Sequence, residues 1–211
     1  MARPLRPLVE GGWYHVTNRG VDRMNIFRDD TDRRRFLALL EEATGRHEIE
    51  VHAYCLMGNH YHLLLRSRKP NLDQAIHRAM SLYAREFNRR HRRDGPLFKS
   101  RYHSCLVTDD SYLLAVTRYI HRNPVDLGCD DIANYKWSSL PMYLGRRRRV
   151  YWVNFDFTIK MVGGRAAYSN FVLGPFETVV ERQLASTKRP TQLGPELPAD
   201  RGFVAPIHRV A

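Results

Sequence analysis

The chain has 211 residues, 43% of them hydrophobic, with 34 Lys and Arg against 22 Asp and Glu for a formal net charge of +12. That length can bury a full core, as one domain or as one domain with an appendage. Three widely spaced cysteines, Cys55, Cys105 and Cys129, argue against a disulfide framework or a zinc knuckle. No stretch is apolar enough to span a bilayer or to form a signal-peptide core, so a soluble, cytoplasmic protein without a membrane partner is expected, nucleoid-associated if its partner is DNA. Clustered basic charge gains counterion-release free energy on a phosphate backbone, which favours nucleic acid as partner over a merely soluble basic protein.

Trp13-Tyr14-His15-Val16-Thr17-Asn18 follows Gly11-Gly12 and is rich in strand formers, so it predicts a first strand, with Arg19-Gly20 turning the chain. The capping residues Asp29 to Asp32 precede Phe36, Leu37, Leu39, Leu40 and Ala43 at helical period, a first helix stopping near Gly45. Two apolar, β-branched and aromatic runs, 49–56 and 60–65, flank Met57-Gly58-Asn59. This is a hairpin signal, with Gly58 expected to take a positive φ. Asn71 is a candidate cap for a second helix with Leu72, Ile76, Ala79, Met80, Tyr83 and Phe87 on one face. Residues 98–107 read as a fourth strand, and Asp109 or Asp110 opens a third helix that must end close to Asn123, because Pro124 disfavours helical geometry there.

The order strand, helix, strand, strand, helix, strand, helix predicts an α+β fold. It is a ferredoxin-like sandwich with a mainly antiparallel sheet and an added C-terminal helix. Residues 1–145 form the expected core domain. Residues 146–211 form a basic extension, partly folded to about Ala185 and then a mobile Pro- and Gly-rich tail.

Two short motifs carry chemistry. His60-Tyr61-His62 on a strand puts both imidazoles on one face, a chelate arrangement. Tyr119 and Asn123, four apart on a helix, share a face. Individually each has a plainer reading: a surface or structural His pair, a packing tyrosine, a helix terminator.

From Met1 to about Gly145 the chain resembles the single-tyrosine transposases of the HUH superfamily, most closely the REP-associated tyrosine transposases. The matching segments include Tyr14-His15-Val16-Thr17-Asn18-Arg19-Gly20, Ile26-Phe27-Arg28-Asp29-Asp30 and residues 52–64 with Gly58-Asn59-His60-Tyr61-His62. They continue with Tyr119-Ile120-His121-Arg122-Asn123-Pro124-Val125 and Trp137-Ser138-Ser139. The resemblance implies that residues 1–145 are the catalytic domain, with a divalent metal, Mg²⁺ or Mn²⁺, on His60, His62 and Asn123 and with Tyr119 as nucleophile. It also implies a covalent 5′-phosphotyrosine intermediate on single-stranded or hairpin DNA, and a monomer or a homodimer.

Expected DNA-backbone contacts are Arg66, Arg68 and Lys69 after the His strand, Arg89, Arg90, Arg92 and Arg93 after the second helix, and the run Arg146, Arg147, Arg148 and Arg149. His121 and His103 are further candidates for a base or an extra ligand, with structural roles the plainer reading. Two other functions stay open: a catalytically silent hairpin-binding protein, and a metal-dependent nuclease that does not use the tyrosine.

Overall fold

The computed structural model describes residues 7–174, 182–184 and 191–194. Its sheet has the order β2-β3-β1-β4-β5, built from β1 (Gly12–Arg19), β2 (Ile49–Leu56), β3 (His60–Ser67), β4 (His103–Val107) and β5 (Gln192–Leu193). The first four strands pair antiparallel in the ferredoxin-like order, and β5 joins β4 in parallel. Helices α1 (Asp30–His47) and α2 (Leu72–Arg90) cover one face. There Phe36, Leu39, Leu40, Ile76, Tyr83 and Phe87 pack on Tyr14, Val16, Tyr61, Leu63 and Leu65. Helix α3 (Asp110–Arg122) lies on the other face, with Leu113, Val116 and Ile120 against Trp13, Ala53, Cys55, Leu64 and Cys105. No helix among the described residues is long and apolar enough to cross a membrane.

Several local expectations are corrected. Asp29 caps α1 as expected, its carboxylate accepting from the Thr31 and Asp32 amides, but the helix runs on to His47 and ends at Glu48 in the left-handed region. Asn71 precedes α2 without capping it; its amide bonds the His47 carbonyl and the Ser67 hydroxyl, tying two connections together. Gly58 is not among the positive-φ glycines. Its carbonyl accepts from the Ile26 and Phe27 amides, and a Cβ there would lie 3.1 Å from Asn25 Oδ1, so close approach is what a small residue serves.

The fourth strand is shorter than predicted. Beyond Thr17↔His103 the ladder breaks, and the next bridge is Gly20↔Phe98. Asn18 and Arg19 therefore face the longer segment 99–102, a bulge held by Lys99 N–H to Arg19 O and Asn18 Nδ2 to Ser100 O.

The chain beyond Gly145 is not a separate layer. Val153 bridges Val51, and Val153, Phe155, Tyr168 and Val172 enter the same core as Tyr143. Three further α-helices follow α3: α4 (Leu140–Tyr143), α5 (Asp156–Met161) and α6 (Arg165–Leu173). Within the expected tail, Gln192 and Leu193 form the edge strand β5, where Leu193 is buried. Apart from Thr191 and Gly194, the rest of that tail lies outside the described residues.

Candidate active site

Strand register assembles the site. Because β1 and β3 are antiparallel, the directly opposed pairs Arg19↔His60, Thr17↔His62 and His15↔Leu64 project to one face, the face that α3 covers. The rings of His60 and His62 lie 5.1 Å apart between centroids. From α3 the Tyr119 ring meets His62 edge-on at 5.4 Å and His15 at 5.9 Å. The tyrosine thus faces His62 and His15 of its own chain.

Both Nδ1 atoms of the His60–His62 pair have defined neighbours. His60 Nδ1 lies 2.6 Å from Asn59 Oδ1, and His62 Nδ1 lies 3.0 Å from His15 Nε2. His62 and His15 are 2% and 3% exposed, so both are held in a dry layer between sheet and helix. Asn123, 4% exposed, donates its side-chain amide to Tyr119 O at 2.7 Å, and its backbone N–H reaches the same carbonyl. The amide nitrogen therefore finishes the helix while Oδ1 is the atom left for a ligand. Among the described residues no group of three or more His, Cys, Asp or Glu side chains is arranged to hold a metal. Two imidazoles and a carboxamide oxygen fit a divalent cation that keeps several outer positions for phosphate and water.

Helix α3 is fastened from behind. Arg118, 1% exposed, donates from Nε to Phe171 O and from a terminal nitrogen to Gly174 O, each at 2.7 Å. Arg122 reaches Val172 O and Gly174 O at 3.0 Å. Two guanidinium groups thus meet the carbonyl end of α6, where the helix dipole favours positive charge. His121 is fully buried between the Tyr168 hydroxyl and Ser139 Oγ, both at 2.7 Å, and burial pushes its pKa down to about 3. Both ring nitrogens are engaged, which makes it a structural residue. His103 sits opposite Thr17 on the site's face of the sheet.

The basic clusters are not all near this site. Strand β3 rises about 3.3 Å per residue, so Arg68 and Lys69 lie at the far end from His60, paired with Glu50 and Glu48. Arg66 stacks over Trp13 and bonds Gly11 O. The cluster after α2 returns to the His60 end: Arg90 pairs with Asp29 and Asp32, Arg93 bonds Asn88, and Arg89 and Arg92 are exposed. Arg147 braces the edge of β2 through Ser138 O and the Tyr54 hydroxyl. Arg149 pairs with Asp156, Arg146 approaches Asp131, and Arg148 is exposed.

Two site residues escaped the sequence reading: His15, and Arg19, which stands opposite His60. The signal for both was alternation along β1, which put positions 13, 15, 17 and 19 on one face.

A family model described as "Transposase IS200 like" matches residues 9–123, more than half of the chain. The chain belongs to the IS200-like transposases. The matched segment begins just before β1 and ends at Asn123, and so contains His15, Arg19, His60, His62, Tyr119 and Asn123. Among solved structures, a REP-associated tyrosine transposase bound to a REP hairpin is similar to this chain, with a TM-score of 0.58 and 14% identity. The match covers 74% of this chain and 96% of that one, and at this identity it is a likeness of fold. No curated protein matches the chain.

Proposed function

We propose that this IS200-like transposase cleaves and rejoins single-stranded, hairpin-associated DNA through Tyr119, acting within one chain. The observation that carries the reading is the Tyr119 ring packed 5.4 Å from His62 of the same subunit. The similar structure's hairpin ligand supports the choice of DNA.

His60, His62 and Asn123 would hold Mg²⁺ or Mn²⁺, which when bound neutralises charge developing on the scissile phosphate. Around it the chain's own groups act. The phenolic oxygen of Tyr119 attacks phosphorus and its proton leaves to solvent. As the new O–P bond forms, the bond from phosphorus to the 3′ oxygen breaks, and that oxygen takes up a proton. One DNA end becomes a 3′-OH and the other a 5′-phosphotyrosine. Because the ester bond energy is retained, a 3′-OH can reverse the step on the same or another strand.

Arg19 beside His60 and the Arg89 to Arg93 cluster at the same end of the sheet would hold the backbone on either side. The pair that Arg90 makes with Asp29 is exposed on both sides, and exposed pairs are worth only about 0–1 kcal/mol, so phosphate can compete for that nitrogen while the buried Asp32 carboxylate keeps the guanidinium in place.

The test is incubation with end-labelled hairpin DNA carrying single-stranded flanks, with Mn²⁺, followed by denaturing electrophoresis. A protein–DNA adduct that Tyr119→Phe abolishes is the expected result. Cleavage that survives Tyr119→Phe would point to hydrolysis without the tyrosine, and binding with no adduct to a silent DNA-binding protein.

A further inference from the structure

Where residues 99–102 bulge away from Asn18 and Arg19, a cleft of about 440 Å³ opens between α2 and the segment 96–102. That volume is within the ~300–1,000 Å³ of sites that enclose a small organic group. The cleft adjoins the candidate active site without being part of it. Along β1, Asn18 alternates with Thr17 and Arg19, so it lines the cleft on the α1 and α2 side of the sheet, whereas Tyr119 lies on the opposite side. We propose that this cleft takes an unpaired DNA base from the strand flanking the scissile phosphate, with Lys99 and Arg101 holding the backbone at its mouth. This rests on DNA being the substrate.

The walls suit a flat heteroaromatic group. Phe98 is partly exposed and is backed by the rings of Tyr61 at 6.3 Å and Tyr83 at 6.5 Å, so it is set in place before a ligand arrives. Every base has a π-face that stacks on such a ring. Met80 comes from α2, and its polarizable thioether adapts to an aromatic partner. Asp73 and His77, one turn apart on α2, also line the cleft; a carboxylate accepts and an imidazole can donate, which are the two functions that read the edge of a base. Asn18 holds the shape. Its Nδ2 donates to Ser100 O and its Oδ1 accepts from the Arg19 N–H, pinning the arch of 99–102 to β1.

Charge and continuity select the occupant. Lys99 and Arg101 are exposed on the arch, Lys99 N–H bonds Arg19 O, and Arg19 stands opposite His60. Phe98 bridges Gly20, whose N–H bonds Asn59 O, one residue before His60. A strand with its phosphate at His60 and Tyr119 therefore passes Arg19 and Lys99 before it reaches the cleft. Phosphates meet the cations and the base meets the apolar walls. A second copy of this chain, at a net charge of +12, would bring more positive charge to a rim that is already basic.

The full chain is titrated by fluorescence anisotropy, without metal, with hairpin DNA whose single-stranded flanks carry one abasic site at each position in turn. One position, or two adjacent ones, is expected to lose roughly five- to hundredfold in affinity while the others lose little. Ser81→Trp, which fills the cleft from α2, should weaken binding of intact DNA by a similar factor and leave binding of that abasic DNA unchanged. Lys99→Ala should weaken all the oligonucleotides alike and reduce the salt dependence.

A flat profile across the flanks, or a Ser81→Trp variant equally harmful to intact and abasic DNA, overturns the assignment even where Tyr119 still forms its adduct. A chain that binds no hairpin DNA overturns both this assignment and the choice of DNA as substrate. If Ser81→Trp alters sedimentation of the free protein and not its DNA affinity, the cleft is a contact between copies and the assignment fails. Thermal unfolding establishes that the variants are folded. Should Ser81→Trp not fold, 5-iododeoxyuridine at the sensitive position decides: photocrosslinks to Met80 or Phe98 support the cleft, and crosslinks elsewhere overturn it.

Discussion

Replacing Arg118 by Met tests how the helix that carries Tyr119 is held. The change keeps most of the aliphatic stem and removes the guanidinium, with its hydrogen bonds to Phe171 O and Gly174 O. Hydrogen bonds from a charged donor contribute about 1.5–3 kcal/mol each, so the gross loss is about 3–6 kcal/mol. Part of it is offset because a charge on a residue only 1% exposed no longer has to be buried, leaving about 2–4 kcal/mol net. For a chain of this size that corresponds to a fall of roughly 5–15 °C in Tm. Arg122→Met should cost less, about 1 kcal/mol, because its bonds to Val172 O and Gly174 O are longer and come from one nitrogen.

Urea unfolding of the full chain measures both changes, and amide hydrogen exchange across residues 165–173 locates the first. With the back of α3 loosened, adduct formation should slow by about tenfold or more, since small misplacements of a nucleophile are costly. A destabilisation below about 1 kcal/mol, with exchange in α6 unchanged, would refute the idea that this contact positions the helix.

Asn123→Ala removes both the donor to Tyr119 O and the remaining ligand oxygen; a loss of about 1 kcal/mol is expected with weaker Mn²⁺ binding in calorimetry, and unchanged affinity would remove Asn123 from the ligand set. Gly20→Ala would place a Cβ 2.2 Å from Met24 O, and since Gly20 N–H bonds Asn59 O, the strain should reach the His60 turn. A loss of about 1–3 kcal/mol or more in thermal unfolding is expected, and a neutral variant would show that the turn relaxes freely. The His52 hydrogen bond, with help from Arg68, holds the Glu50 carboxyl down to about 2 from an ordinary 4.5. Because the folded value is the lower one, that stabilisation is present above pH 4.5 and disappears as pH falls toward 2; Glu50→Gln should flatten acid unfolding in that window. EDTA should stop adduct formation and leave far-ultraviolet circular dichroism unchanged, whereas an adduct that forms in EDTA would exclude a metal from the step.

Much of the architecture was readable from local pattern. The 3.6-residue period of Leu72, Ile76, Tyr83 and Phe87 and the β-branched and aromatic runs of the hairpin are properties of neighbours in the chain, and they produced α2, β2 and β3 near their observed limits. The breaks came where distant segments intervene. Residues 98–102 have strand-forming chemistry, yet the bulge against Asn18 and Arg19 takes them off the ladder. Gln192 and Leu193 lie in a Pro- and Gly-rich stretch and became a strand only because β4 presented an edge.

The candidate site divides along the same line. By itself the sequence determined that His60 and His62 share a face, that Tyr119 and Asn123 lie one turn apart, and that α3 ends close to Asn123, because strand period and helix period are local. The expected loss of helical geometry at Asn123 is corrected: Asn123 is helical, and the chain tightens into a 3₁₀ turn over Asn123–Leu127 with Pro124 in its first turn, where the missing N–H costs nothing. Only the tertiary structure decided that these two faces meet within one chain, that Arg19 stands opposite His60 while Arg68 and Lys69 lie at the other end of the strand, and that His15 touches both His62 and Tyr119. The reason is register: which residue of β1 lies beside which residue of β3 depends on how sheet and helices pack across dozens of intervening residues, and no short window of sequence contains that information.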